Sequence, residues 1–104
     1  MHIEISYSGT DRSGALDERV REQVCHECAR FQERLTRVEA HLSDNNASKR
    51  GPRDKSCTLE ARPRGMEPIV VKHEAGDLYE TVREASRKLA RALSARFERA
   101  DPLA

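Results

Sequence analysis

The residues best suited to chemistry lie near the C-terminal end. Arg83, Arg87 and Arg91 recur at intervals of four, Lys88 falls beside them, and Arg99 follows near the end of the segment. On a helix this spacing stacks the three guanidiniums along one exposed face, where like charges cost roughly a few tenths of a kcal/mol per pair. Glu84 is placed to offset that cost through Lys88 and Arg87. Two readings stand side by side. One is a solvated, partly neutralised helix face. The other is a phosphate-binding row, for which the planar arginine fork is suited because it reaches two phosphate oxygens at once.

Two weaker basic groups accompany this row. Arg19 and Arg30 share a side with His26 on an earlier helical segment, Arg34 lies close by, and Glu18, Glu22 and Glu33 fill the neighbouring sector. Residues 44–56 contribute Lys49, Arg50, Arg53 and Lys55 among small and polar residues. That stretch is read as a flexible hairpin loop, either simply solvated or ordered on an RNA surface.

Cys25-His26-Glu27-Cys28 has the form of half a metal site. Structural zinc takes four ligands, often from two such pairs, and the chain has no second Cys-x-x-Cys; Cys57 and His73 complete a set only if folding brings them close. Cys28 lies on an apolar stripe and Cys25 at its margin, so packing is the favoured role. His2 and His41 fall on the outward sides of strands and read as surface residues. No Ser or Cys comes with an identifiable base and orienting acid, and no glycine-rich loop could cradle a phosphate. The expectation is a protein that is not an enzyme, with no cofactor, no metal and no small-molecule substrate.

Composition narrows the field further. The chain has 104 residues, 19 basic against 18 acidic, and a formal net charge of +1, so any nucleic-acid role rests on local segregation of charge. There is no Trp, and only Tyr7, Phe31, Tyr79 and Phe97 are aromatic, which leaves little material for an aromatic base-stacking platform. The N-terminus lacks a basic region followed by an apolar run, and no apolar stretch reaches membrane-spanning length. Three cysteines make no disulfide framework, which points to a reducing, cytoplasmic setting.

Periodicity supplies the elements that must position these side chains. Ile3, Ile5 and Tyr7 alternate with polar residues as in a half-buried strand. Ser13 is placed to cap a helix whose stripe runs Leu16, Val20, Val24, Cys28, Phe31 and Leu35. Further strands follow from Val38, Ala40 and Leu42, from Cys57, Leu59 and Ala61, and from Ile69, Val71 and His73, with a turn at Pro63 to Gly65. Asp77 with Glu80 opens a second long helix carrying Leu78, Val82, Ala85, Leu89, Leu93 and Phe97. The order is β-α-β-β-β-α. The helix-linked first two strands should be parallel if adjacent, and the next connections are hairpins. The expected fold is a single two-layer α+β domain over 1–104, a four-stranded sheet with both helices on one face and a short tail at 100–104.

The order and spacing of these elements carry a resemblance. The segment Arg30 to Leu42 leading into the second strand, and His73 to Leu93 with Asp77-x-Tyr79 opening the last helix and Lys88-Leu89-x-x-x-Leu93 within it, resemble the hibernation-promoting factor and ribosome-associated inhibitor family, once labelled sigma factor modulation proteins. Asp54 to Gly65 looks like a subgroup of short, single-domain relatives. The resemblance covers nearly the whole chain. It implies a domain similar in outline to a double-stranded-RNA-binding domain. It also implies docking on 16S rRNA in the messenger and transfer RNA channel of the 30S subunit, blocking translation by occupancy. Lys88, Arg91 and Arg99 match basic positions of the family's last helix; Arg83, Arg87, Arg19, Arg30 and Arg34 extend that set on the reading of the charges alone. Gln23, His26, Ala95 and Phe97 stand where better-known relatives are basic, which should weaken phosphate binding and flatten its salt dependence. The chain stops near Pro102, without the further C-terminal domain of long relatives, so it is not expected to pair ribosomes by itself. Two other functions are kept open: an RNA- or protein-binding regulator on the same fold without a ribosomal role, and a cysteine-based metal or redox regulator.

Overall fold

A computed structural model describes residues 1–44 and 54–100. Seven elements follow one another: β1 (His2–Ser8), α1 (Gly14–Glu27), a 3₁₀ segment (Ala29–Arg34), β2 (Leu35–Asp44), β3 (Lys55–Pro63), β4 (Ile69–Ala75) and α2 (Leu78–Ala100). The strands form one sheet in the order β1-β2-β3-β4. β1 and β2 are parallel, joined through α1, and both later pairs are antiparallel. The β-α-β-β-β-α order and the α+β two-layer architecture are those the periodicities indicate.

Strand alternation decides which face is covered. Ile3, Ile5, Val38, Ala40, Leu42, Cys57, Leu59, Ala61 and Ile69 are buried on one side, against Leu16, Val20 and Val24 of α1 and Val82, Ala85, Leu89, Leu93 and Phe97 of α2. Truncating a fully buried leucine such as Leu89 to alanine typically costs about 2–5 kcal/mol. The helices are capped as the sequence implies. Ser13 Oγ accepts from the Leu16 amide at 3.2 Å, and the Asp77 carboxylate accepts from the Tyr79 and Glu80 amides at 3.4 and 3.3 Å. The Tyr7 hydroxyl donates to Asp17 at 2.8 Å, and the same carboxylate accepts from Arg12 at 2.8 Å, which ties β1 to α1.

Two boundaries differ from the sequence reading. The apolar stripe from Leu16 to Leu35 is not one helix. α1 ends at Glu27, Cys28 leaves helical geometry (φ −103°, ψ 17°), and the chain tightens into 3₁₀. A 3₁₀ turn repeats every three residues, so the step from Cys28 to Phe31 keeps Phe31 on the core side although the α-helix has ended. Leu35 is the first residue of β2. The expected loop 44–56 is also too wide at both ends: Asp44 pairs with Lys55 and Ser43 with Ser56 in the β2–β3 ladder. Lys49, Arg50 and Arg53, and the tail from residue 101, lie outside the described residues.

Gly9, just after β1, has φ +76°, and a Cβ there would run into the backbone carbonyl of Asp44. Only glycine meets both demands. The two edge strands are closed by basic side chains. On β1, Arg21 Nη1 donates to the Ile3 carbonyl at 3.2 Å and Arg12 Nη2 to the Ile5 carbonyl at 2.6 Å. On β4, Lys88 Nζ donates to the Lys72 carbonyl at 3.0 Å. Occupied carbonyls make a poor template for a further strand.

Candidate nucleic-acid interface

The two layers carry different charge patterns. On the open face of the sheet, Glu4, Glu39, Glu60 and Glu74 stand with Arg37, Arg62 and Lys72. Register explains the order: Glu4 lies beside Glu39 and Glu39 beside Glu60, with Arg37 and Arg62 paired one step along. Arg37 bridges Glu4 at 2.9 Å and Glu39 at 3.0 Å, Arg62 bridges Glu39 at 3.4 Å and Glu60 at 3.2 Å, and Lys72 reaches Glu74 at 3.7 Å. Among the described residues this face has no cationic excess with which to hold a polyanion. His41 also stands here, its ring nitrogens 2.8 Å from Ser6 Oγ and 3.2 Å from Ser8 Oγ, while His2 lies 3.5 Å from Glu4.

The helical layer is different. α2 alone carries six bases, Arg83, Arg87, Lys88, Arg91, Arg96 and Arg99, against three acids, Glu80, Glu84 and Glu98. Its row is not uniform. Arg83 and Arg87 share Glu84 at 3.4 and 3.0 Å, and Arg87 also approaches Glu27 of α1 at 3.9 Å. Contrary to the sequence reading, Glu84 does not pair with Lys88; Lys88 is extended to the β4 carbonyl of Lys72, with donors left over. Arg91 and Arg99 are exposed and have no carboxylate within ion-pair distance among the described residues. They lie about 12 Å apart along the helix at 1.5 Å per residue. Arg96, not singled out in the sequence, donates to the Glu67 carbonyl at 3.0 Å and pins the turn before β4.

The three remaining arginines, Arg19, Arg30 and Arg34, do not form one patch, because α1 stops before Arg30. Arg19 sits at the end of the layer where α2 begins, 3.6 Å from Glu22 and over the ring of Tyr79 at 5.2 Å. Arg30 and Arg34 lie toward the other end. Arg30 Nη2 donates to Ser94 Oγ at 2.8 Å and its guanidinium covers Phe31 at 4.7 Å; Arg34 covers Phe97 at 3.7 Å. Glu27, Arg30, Phe31, Ala90, Arg91 and Ser94 line a shallow groove of about 340 Å³ between the 3₁₀ segment and α2. Phe97 is thus a core residue with Arg34 lying over its ring.

The cysteines do not converge into a metal site. No cluster of three or more His, Cys, Asp and Glu side chains able to hold an ion occurs among the described residues. Cys57 and His73 do face each other across β3 and β4, but Cys25 and Cys28 are on the helical layer. Burial pushes the thiols of Cys28 and Cys57 up to about 12, which disfavours the thiolate that metal binding and redox chemistry need.

A four-stranded mixed sheet open on one side, with two helices covering the other and cations gathered on the last helix, defines a class of small two-layer α+β domains with a basic helical layer. The chain belongs to the family of sigma 54 modulation proteins and S30EA ribosomal proteins, whose pattern matches residues 3–100. Membership places it among ribosome-associated hibernation and modulation factors. The fold is that of a ribosomal subunit interface protein from Coxiella burnetii, with a TM-score of 0.78 at 24% identity over 92% of this chain and 97% of that one. It is also that of the Protein Y N-terminal domain from Thermus thermophilus, with a TM-score of 0.75 at 19% identity over 93% and 99%. No curated protein matches the sequence. Among the described residues, no helix is long and apolar enough to cross a membrane.

Proposed function

We propose that the protein binds the 30S subunit of the ribosome in the cytoplasm and holds it inactive. In this reading 16S rRNA meets the helical layer in the channel for messenger and transfer RNA, and occupancy alone blocks translation. The whole chain acts as one ribosome-binding unit. The observation that carries this reading is the division of charge between the two layers: cations on the sheet are consumed by glutamates, while Arg91 and Arg99 on α2 have no carboxylate partner among the described residues. A negatively charged RNA surface is repelled least and held best on the helical side.

Within that layer the roles divide. Arg91 and Arg99, with no carboxylate partner among the described residues, take phosphates directly. Lys88 has donors left after its bond to β4. Arg30 and Arg34 flank the same end of α2. Arg83, Arg87 and Arg19 must first exchange a carboxylate for a phosphate, so they contribute less per residue.

Co-sedimentation with purified 30S subunits and 70S ribosomes tests the reading at low and at physiological salt. Saturable binding at physiological salt is expected, with loss of translation in a cell-free system at the same occupancy. Binding confined to low salt would instead favour an RNA- or protein-binding regulator that has kept only the fold.

A further inference from the structure

We infer that the helical layer recognises unpaired RNA bases through arginine planes stacked on buried aromatic rings. This rests on the RNA-binding reading above and specifies which form of RNA that surface takes.

Each of the four aromatic rings in the chain has an arginine over it: Arg12 on Tyr7, Arg30 on Phe31, Arg19 on Tyr79 and Arg34 on Phe97. A guanidinium within about 6 Å of a ring face is attracted by its quadrupole, and here no ring is without one. Three of them lie on the helical layer, and two of these share one unit. Phe31 and Phe97 contact each other with centroids 5.3 Å apart and planes tilted by 38°. Both rings are buried, only 7% and 6% exposed, so neither offers a face to a base. Their outer sides are covered by Arg30 and Arg34, which are themselves exposed. A guanidinium carbon 3.7 Å from the ring centroid is at van der Waals distance. At that distance the ring limits how far the Arg34 plane can tilt away from lying along it.

A guanidinium held flat in this way has two useful surfaces. Its outer face can stack an unpaired base, as arginine planes do in single-stranded RNA recognition. Its N–H edge remains directed sideways, toward phosphate oxygens. For Arg34 the ring beneath restrains the plane, and for Arg30, which stands 4.7 Å from its ring, the bond to Ser94 does so instead, so less side-chain freedom is lost on binding. Neither Arg30 nor Arg34 has a carboxylate partner among the described residues that would compete. The scarcity of aromatic residues therefore does not remove base stacking from this protein; it transfers the platform to arginine. Duplex RNA cannot use it, because a paired base inside a helix has both faces covered by its neighbours.

The test is fluorescence anisotropy with three fluorescein-labelled RNAs of equal phosphate number: a single strand, the same strand carrying abasic residues, and a blunt duplex. At fixed salt the native protein should prefer the intact strand to the abasic one by about tenfold, the order expected for one stacked base, with the duplex as the reference for binding through phosphates alone. Arg30→Lys with Arg34→Lys keeps both charges and removes both planes; it should bring the preference near one and leave the affinity for the abasic strand little changed. A thermal melt confirms that the variant is folded. Equal affinity of the native protein for intact and abasic strands, or a preference that survives both lysines, overturns the inference. If that happens while ribosome co-sedimentation persists, stacking is wrong and the ribosomal reading stands. Loss of ribosome binding by the native protein removes the reading itself.

Discussion

Replacing Arg91 and Arg99 together by alanine isolates the phosphate contribution of α2. Neither has a carboxylate partner among the described residues, so each is available for a direct contact. Each phosphate neutralised contributes about 0.7–0.9 to the slope of log affinity against log salt. The double variant should therefore lose about 1.4–1.8 from that slope. Between 50 and 200 mM salt, a fourfold change, native affinity should fall roughly 7- to 12-fold more than that of the variant. The matched control is Arg83→Ala with Arg87→Ala. It removes the same formal charge, but these arginines are held by Glu84 at 3.4 and 3.0 Å, so its slope should fall by less. The assay is equilibrium binding to 30S subunits over a salt series, with a chemical denaturation curve for each variant. Surface substitutions of this type usually shift stability by less than about 0.5 kcal/mol. An unchanged slope for the Arg91/Arg99 pair, with the loss appearing in the Arg83/Arg87 pair, would refute the assignment of free and engaged arginines.

Removing the edge guards, Arg12→Ala with Arg21→Ala, frees the Ile3 and Ile5 carbonyls of β1; self-association should rise with concentration in light scattering, and a monomer at all concentrations would show the guards unnecessary. Asp17 sits below its ordinary value of 3.8, because hydrogen bonds from Tyr7 and Arg12 and the charge of Arg12 outweigh the burial that would raise it. The unfolded chain therefore takes up this proton at a higher pH than the folded one. The stability it contributes is present above about pH 4 and is lost as pH falls through the depressed value. Asp17→Asn should flatten that acid limb in urea midpoints measured against pH. Tyr7 is raised above 10.0, by burial first and then by its bond to Asp17, so its contribution is present below pH 10 and disappears only as pH rises through the raised value. Ser86 Oγ is buried with no partner among the described residues; Ser86→Ala should be neutral or stabilising by up to about 1 kcal/mol in denaturant unfolding, whereas a clear loss would reveal an unseen partner. Under native conditions a thiol reagent should modify Cys25 at most, with Cys28 and Cys57 reacting only on unfolding, since both are buried.

Alternating and helical periodicities by themselves determined the element order and nearly all of the core, because burial on one face repeats every two residues in a strand and about every 3.6 in a helix. Residue type at Ser13 and Asp77 marked both caps, and only the fold made β1 and β2 neighbours, whose helical link then requires them to be parallel. The order and spacing of motifs also carried the family. The sequence could not show where α1 stops, since a step of three residues satisfies a 3₁₀ turn as well as an α-helix, and Cys28 to Phe31 is such a step. Nor could it sort the arginines by availability. Arg83, Arg87 and Arg91 look alike at intervals of four, and only the fold places Glu27 of α1 near Arg87 and leaves Arg91 exposed with no carboxylate partner among the described residues. The same holds for the stacked pairs: Arg30 beside Phe31 is visible in the chain, but Arg34 on Phe97 and Arg19 on Tyr79 join residues some sixty positions apart. Local pattern reports which way a side chain faces relative to its own element. What it meets there depends on how α1, the 3₁₀ segment and α2 pack together, and tertiary structure alone decides that.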